Sequence, residues 1–132
     1  MTFAHAVVWI DHHRAELVHL SSSDEHTAHI TCPDPPRKLH RKSGIPGPGR
    51  APVNRAFFDE VARGVEDVRS VLVVGPGIAK VEFAAHLTQR HPAIARKVVG
   101  LEALDHPSYA ELVASARSYF KRIDQLEGVD LK

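Results

Sequence analysis

Apolar residues along the chain follow two rhythms, and the change from one to the other divides it. "HAVVWI", residues 5–10, is apolar at nearly every position, as suits a strand covered on both faces, and "DHHR" after it supplies a polar turn. "AELVHL" follows as the hairpin partner. In "TAHITC", Ala28, Ile30 and Cys32 alternate with Thr27, His29 and Thr31, the period of two of a strand with one wet face. The opening third therefore predicts three consecutive strands.

From residue 53 the period lengthens. "VNRAFFDEVARGVEDV" sets Val53, Phe57, Val61 and Val65 on one helical face, widened by Phe58 and Ala62. "SVLVVG" is a short, β-branched, buried strand. "IAKVEFAAHLTQRH" predicts a helix opened by the turn at Gly75, Pro76 and Gly77 and closed before Pro92. "KVVGLEAL" supplies a fifth strand and "SYAELVASARSYFKRI" the last helix, whose Ser108 and Glu111 have the spacing of a capping box. Tyr109, Leu112, Val113, Ala116, Phe120 and Ile123 share one face of that helix, and residues 124–132 are expected to fray.

The order β-β-β-α-β-α-β-α puts antiparallel strands first and then strands alternating with crossover helices. That implies an α/β fold with a mixed five-stranded sheet, in the order of the ribonuclease H-like fold. A length of 132 residues suits one domain, spanning 1–132.

Between the third strand and the first helix lies a long loop, residues 33–52, beyond the roughly 12–15 residues after which loops of compact domains tend to carry function. Pro33, Pro35 and Pro36 stiffen its first limb, while Gly44, Gly47 and Gly49 soften its tip. Charge gives this loop its meaning. The chain balances 17 Lys and Arg against 16 Asp and Glu, so attraction to nucleic acid must come from local clustering. Arg37, Lys38, Arg41, Lys42 and Arg50 cluster here with no acid after Asp34, and they repel one another unless an anion joins them. Phosphates of single-stranded or irregular RNA fit, with a log–log salt slope of about −3 to −4 if all five engage. His40 can stack on a base or meet a phosphate. The competing reading is a solvated loop.

"GPGIAK", residues 75–80, joins a strand to a helix, where Gly75, Gly77 and Lys80 could frame an anion-binding turn. It lacks the G-x-x-x-x-G-K-[ST] pattern, and a structural turn is the favoured reading. Catalytic patterns are missing as well: there is no G-x-S-x-G elbow and no HExxH. Ten histidines, among them His12, His13, His19, His26 and His29 in the strand region, have no paired cysteine or closely spaced carboxylate, so surface imidazoles and no metal are expected. Asp11 ends the first strand, but "SVLVVG" offers no acid to converge with it on a metal pair, so Asp11 is assigned to the turn. Cys32, the single cysteine, is expected to be a small core residue, with His29 on the opposite face. The N-terminus has no signal-peptide pattern and no apolar run approaches the roughly 18–20 residues of a membrane span, so a cytoplasmic protein is expected.

"VLVVGPGIAKVEF", "KVVGLEAL" and "DHPSYAEL" together resemble the middle domain of the archaeo-eukaryotic class-1 peptide-chain release factors and of their ribosome-rescue relative Pelota. The resemblance covers nearly the whole chain and is most specific from Val71 to Leu104; the chain looks most similar to short, single-domain bacterial members known as translational machinery proteins. In the release factors, the loop between third strand and first helix carries a Gly-Gly-Gln motif that enters the peptidyl-transferase centre. Here "RKSGI", Arg41 to Ile45, falls in that place: Gly44 matches the second glycine, Ser43 stands for the first and Ile45 for the glutamine.

The resemblance thus implies a noncatalytic protein binding at or near the ribosomal A site, for rescue or hibernation, without peptidyl-tRNA hydrolysis. The residues it implicates in contact with rRNA or tRNA are Arg37, Lys38, His40, Arg41, Lys42, Ser43, Gly44 and Arg50. The ribosome is the expected partner, with no cofactor, small-molecule substrate or membrane. Counterparts of the family's codon-reading and GTPase-recruiting domains are not expected in this sequence. Two other readings stand beside this one: a small metal-dependent hydrolase or nuclease using Asp11 and nearby histidines, and an interaction module whose basic loop binds an acidic partner.

Overall fold

The computed structural model describes residues 4–32 and 55–127. Its elements in chain order are β1 (His5–Ile10), β2 (Arg14–Leu20), β3 (Glu25–Thr31), α1 (Arg55–Gly64), β4 (Ser70–Gly75), α2 (Ala79–Arg90), α3 (Pro92–Ala95), β5 (Val98–Ala103) and α4 (Tyr109–Glu127). The five strands form one sheet in the order β3-β2-β1-β4-β5. β1 pairs antiparallel with β2 and parallel with β4; β2–β3 is antiparallel and β4–β5 parallel. This is the mixed sheet of the expected ribonuclease H-like fold.

The uninterrupted apolar run of β1 has the expected cause. Ala6, Val8 and Ile10 face one buried cluster with Phe57, Phe58 and Val61 of α1 and Phe83 and Leu87 of α2. Val7 and Trp9 face a second cluster with Leu112, Ala116 and Phe120 of α4. Three layers result, with α1, α2 and α3 on one face of the sheet and α4 on the other. Each fully buried Val, Leu, Ile or Phe side chain among them contributes about 1.5–3 kcal/mol. β3, at the edge, keeps the predicted alternation: Ala28 and Ile30 pack against the first cluster while His29 and Thr31 are exposed. Cys32 is buried as expected, 3% exposed. Among the described residues no helix is long and apolar enough to cross a membrane.

Three expectations need correction. α1 ends at Gly64 rather than continuing to Val68; after this poor helix former the chain tightens, with Val65 N–H donating to Ala62 O (3.1 Å) and Val68 N–H to Val65 O (3.4 Å). The single turn α3 follows α2, with Pro92 opening it rather than only closing the helix before it. α4 runs through Glu127, so residues 124–127 are helical rather than a frayed tail, and Asp124 lies 3.5 Å from His5 Nε2. The start of α4 is as predicted: Ser108 N–H donates to Glu111 Oε1 (2.9 Å) and Glu111 N–H to Ser108 Oγ (3.1 Å).

Candidate functional site

One end of the sheet gathers most of the features that the sequence singles out. Ile10 pairs with Ala15, Arg14 with Thr31, and Gly75 with Ala103, which brings the β1–β2 turn, the end of β3 and the ends of β4 and β5 to the same edge. Cys32 N–H donates to His13 O at 2.8 Å and ties the end of β3 to that turn. α1 begins at this edge too. Its last residue, Gly64, accepts a 2.7 Å hydrogen bond from His19 Nε2 near the far end of β2, so the helix runs away from the edge and Arg55 lies towards it. The two described residues that flank the basic segment, Cys32 and Arg55, thus sit on one side of the fold. Arg37, Lys38, His40, Arg41, Lys42, Ser43, Gly44 and Arg50 all lie outside the described residues.

Asp11 behaves as the turn residue it was expected to be. Its Oδ1 accepts from His13 N–H (2.8 Å) and Arg14 N–H (2.9 Å), an Asx turn that closes the β1–β2 hairpin. His12 Nε2 reaches Glu82 Oε1 of α2 at 2.7 Å. The Arg14 guanidinium lies 4.8 Å from the Trp9 ring, whose Nε1–H donates to the carbonyls of Leu104 (3.2 Å) and Asp105 (2.9 Å). The indole thus fastens the loop after β5 to this edge. Arg14, Arg55 and Lys80 share this edge with Asp11, Glu82 and Asp105, so the formal charges named there balance.

The glycine turn has different demands at its two glycines. A Cβ on Gly75 would stand 2.3 Å from the backbone oxygen of Ile10, so only glycine lets β4 approach β1 this closely. A Cβ on Gly77 would meet nothing within 4 Å. Lys80 Nζ folds back to donate to Gly77 O at 2.6 Å. Packing and this internal contact account for Gly75 and Lys80, and an anion here would compete with Gly77 O for the ammonium. A second concavity, a cleft of about 580 Å³, opens at the other end of β1 and is lined in part by His5, Arg69, Arg117 and Lys121. There Arg117 is already engaged by the carbonyls of Ser21 (2.8 Å) and Asp24 (3.2 Å).

One cluster escaped the sequence reading. Asp59 of α1 accepts on its Oδ1 from His86 Nε2 of α2 at 2.7 Å and from His91 Nε2, between α2 and α3, at 2.8 Å. The hydrogen bonds from His91 and then His86 hold the Asp59 carboxyl at about 2, below its usual 3.8, against the opposing effect of desolvation. His86 is buried, 6% exposed, and packs edge-on against Phe58 at 5.4 Å, so the expectation of surface imidazoles fails for it. A signal was present: Ala79, Phe83, His86 and Leu87 are the buried face of α2, and His86 occupies a core position in that pattern. Asp59 carries no such signal, because 27 residues separate it from His86 and only the packing of α1 on α2 joins them.

No family model matches the chain, and no curated protein matches it by sequence. Solved structures do match in fold. Pelota of Archaeoglobus fulgidus aligns with a TM-score of 0.60 at 20% identity, covering 86% of this chain and 30% of that one. The archaeal translation termination factor aRF1 aligns at 0.54 and 14% identity, over 94% of this chain and 41% of its own. Dom34 of S. cerevisiae, described as a translation termination-like factor involved in RNA quality control, aligns at 0.52 and 9% identity, over 94% and 38%. The chain therefore spans roughly a third to two fifths of the length of these proteins. Its fold is that of the release-factor middle domain, as found within Pelota and aRF1.

Proposed function

We propose that this chain is a ribosome-associated translation factor, acting on stalled or idle ribosomes, that forms a single domain over residues 1–132. It contacts rRNA or tRNA through Arg37, Lys38, His40, Arg41, Lys42, Ser43, Gly44 and Arg50 and hydrolyses no peptidyl-tRNA. The observation that carries this reading is the Pelota/aRF1-like fold, with a cluster of five cations inserted between β3 and α1. That is where the family resemblance sets the reactive Gly-Gly-Gln. Five neighbouring cations repel one another without an anion, and the near-balanced edge at Asp11, Arg14, Lys80 and Glu82 leaves the segment itself to supply the attraction. Ser43 and Ile45 withhold the backbone freedom and the amide that the termination reaction uses, so the segment grips rather than cleaves.

Co-sedimentation with ribosomes tests the proposal, comparing wild type with a variant carrying Arg37→Ala, Lys38→Ala, Arg41→Ala and Lys42→Ala. Wild type is expected in the ribosomal pellet at physiological salt and the variant in the supernatant. Losing four phosphate contacts reduces the magnitude of the salt slope by about 3. Equal pelleting of the two proteins would remove the segment from the account.

A further inference from the structure

We infer that Asp59, His86 and His91 bind a divalent transition-metal ion of the zinc type, with the two imidazole Nε2 atoms and a carboxylate oxygen of Asp59 as the protein ligands. One nitrogen from each imidazole and one carboxylate oxygen lie within 4.8 Å of one another. Two histidines and a carboxylate are a donor set that such ions take, with a water filling the fourth position. The inference departs from the sequence-based expectation of no metal, and it is independent of the translational role proposed above.

The arrangement is more than a buried histidine finding a partner. A single hydrogen bond to Asp59 would satisfy His86 Nε2, yet a second imidazole from a separate element converges on the same oxygen, Oδ1. His91 is held for this position by the chain around it. Its N–H donates to Leu87 O (2.8 Å), and its carbonyl accepts from Ile94 N–H and Ala95 N–H (both 2.9 Å), fixing the break between α2 and α3. His86 is seated between Phe58 and His91, with ring centroids 5.4 and 5.5 Å away. Both imidazoles are thus positioned by packing and backbone bonds. Their side chains are 5% and 25% exposed, and that of Asp59 is 27% exposed, so the cluster has a dry floor and an open mouth through which an ion can enter.

Tetrahedral bonds of about 2.0–2.2 Å separate neighbouring ligand atoms by about 3.3 Å. To take an ion, the observed 2.7 and 2.8 Å contacts must open by about half an ångström, and the two imidazole nitrogens, whose separation is bounded at 4.8 Å, must draw together by up to about 1.5 Å, a side-chain adjustment open to the partly exposed His91. Binding moves the remaining proton of each neutral imidazole to Nδ1, or releases a proton from a charged one, and leaves Nε2 free to coordinate. The bound ion then clips α1, the helix directly after the basic segment, to α2 and α3.

Titration of the chelator-stripped full chain with Co²⁺ and Zn²⁺ tests the inference. We expect a 1:1 tetrahedral Co²⁺ absorption spectrum that Zn²⁺ abolishes, and a melting temperature raised by about 10 °C at Zn²⁺ a hundredfold above Kd. His91→Ala removes a partly exposed ligand and should weaken Zn²⁺ binding more than about a hundredfold, with its circular dichroism matching wild type. Asp59→Asn should weaken binding as well, while the surface double variant His13→Ala/His29→Ala should bind as wild type does. No 1:1 Co²⁺ spectrum, or a Zn²⁺-induced shift of equal size in wild type and His91→Ala, would overturn the site and leave a hydrogen-bonded clasp between helices.

Discussion

Gly75→Ala and Gly77→Ala are the same chemical change two residues apart, and the structure assigns them opposite signs. At Gly75 the new methyl would stand 2.3 Å from Ile10 O, a backbone atom in the central β1–β4 pair that cannot swing aside. Relief requires the strand ends to part by about 1 Å, and such overpacking costs about 1–3 kcal/mol. For a chain of 132 residues the unfolding entropy makes each kcal/mol worth about 3.6 °C, so Tm should fall by about 4–11 °C. At Gly77 the methyl enters open space, and restricting the unfolded chain should raise stability by about 0.4–1 kcal/mol, or Tm by about 1–4 °C. Urea melts with unchanged slopes would show that both variants shift stability without altering the surface exposed on unfolding. Equal destabilisation by the two variants would refute the reasoning, because it would mean the turn needs glycine for a reason other than the approach of β4 to β1. An unaffected Gly75→Ala would refute the close approach itself.

Other consequences can be measured with the same melts. Burial pushes the His5 imidazole below its usual 6.5, against the raising effect of Asp124, so the folded state favours its neutral form. Stability should therefore fall as pH drops through about 6.5 and level off below the lowered folded value, and His5→Phe should flatten that part of the profile. Trp9→Phe removes the donor to Leu104 O and Asp105 O and should cost about 1–3 kcal/mol, with faster amide exchange in the loop after β5. Ser108→Ala opens the capping box of α4 and should cost about 1 kcal/mol, read from the urea midpoint.

Much of the fold was legible because periodicity and burial coincide. β1 and β4 have the predicted bounds, since a strand between two helical layers is apolar at each position and polar residues mark its ends. Lengths at helix ends were less legible: Val65 and Val68 are buried at helical spacing although the helix stops at Gly64, so the pattern survives a turn that the backbone does not. α3 is a single turn, too short to show a period. Asp11 could be read as a turn residue from its neighbours in sequence. The cluster of Asp59, His86 and His91 could not, because it depends on how far α2 reaches along α1, a packing property that neither helix states alone. His86 on an apolar face was the one local sign of it.

The claim that the segment between β3 and α1 grips RNA on the ribosome is tested most directly by crosslinking the protein to RNA in growing cells and mapping both partners. The account predicts crosslinked nucleotides in rRNA or tRNA, joined to peptides from residues 37–50 and lost in the four-alanine variant. Crosslinks that come only from other parts of the chain, or protein complexes that survive RNase with no crosslinked RNA, would contradict it and favour an acidic protein partner instead.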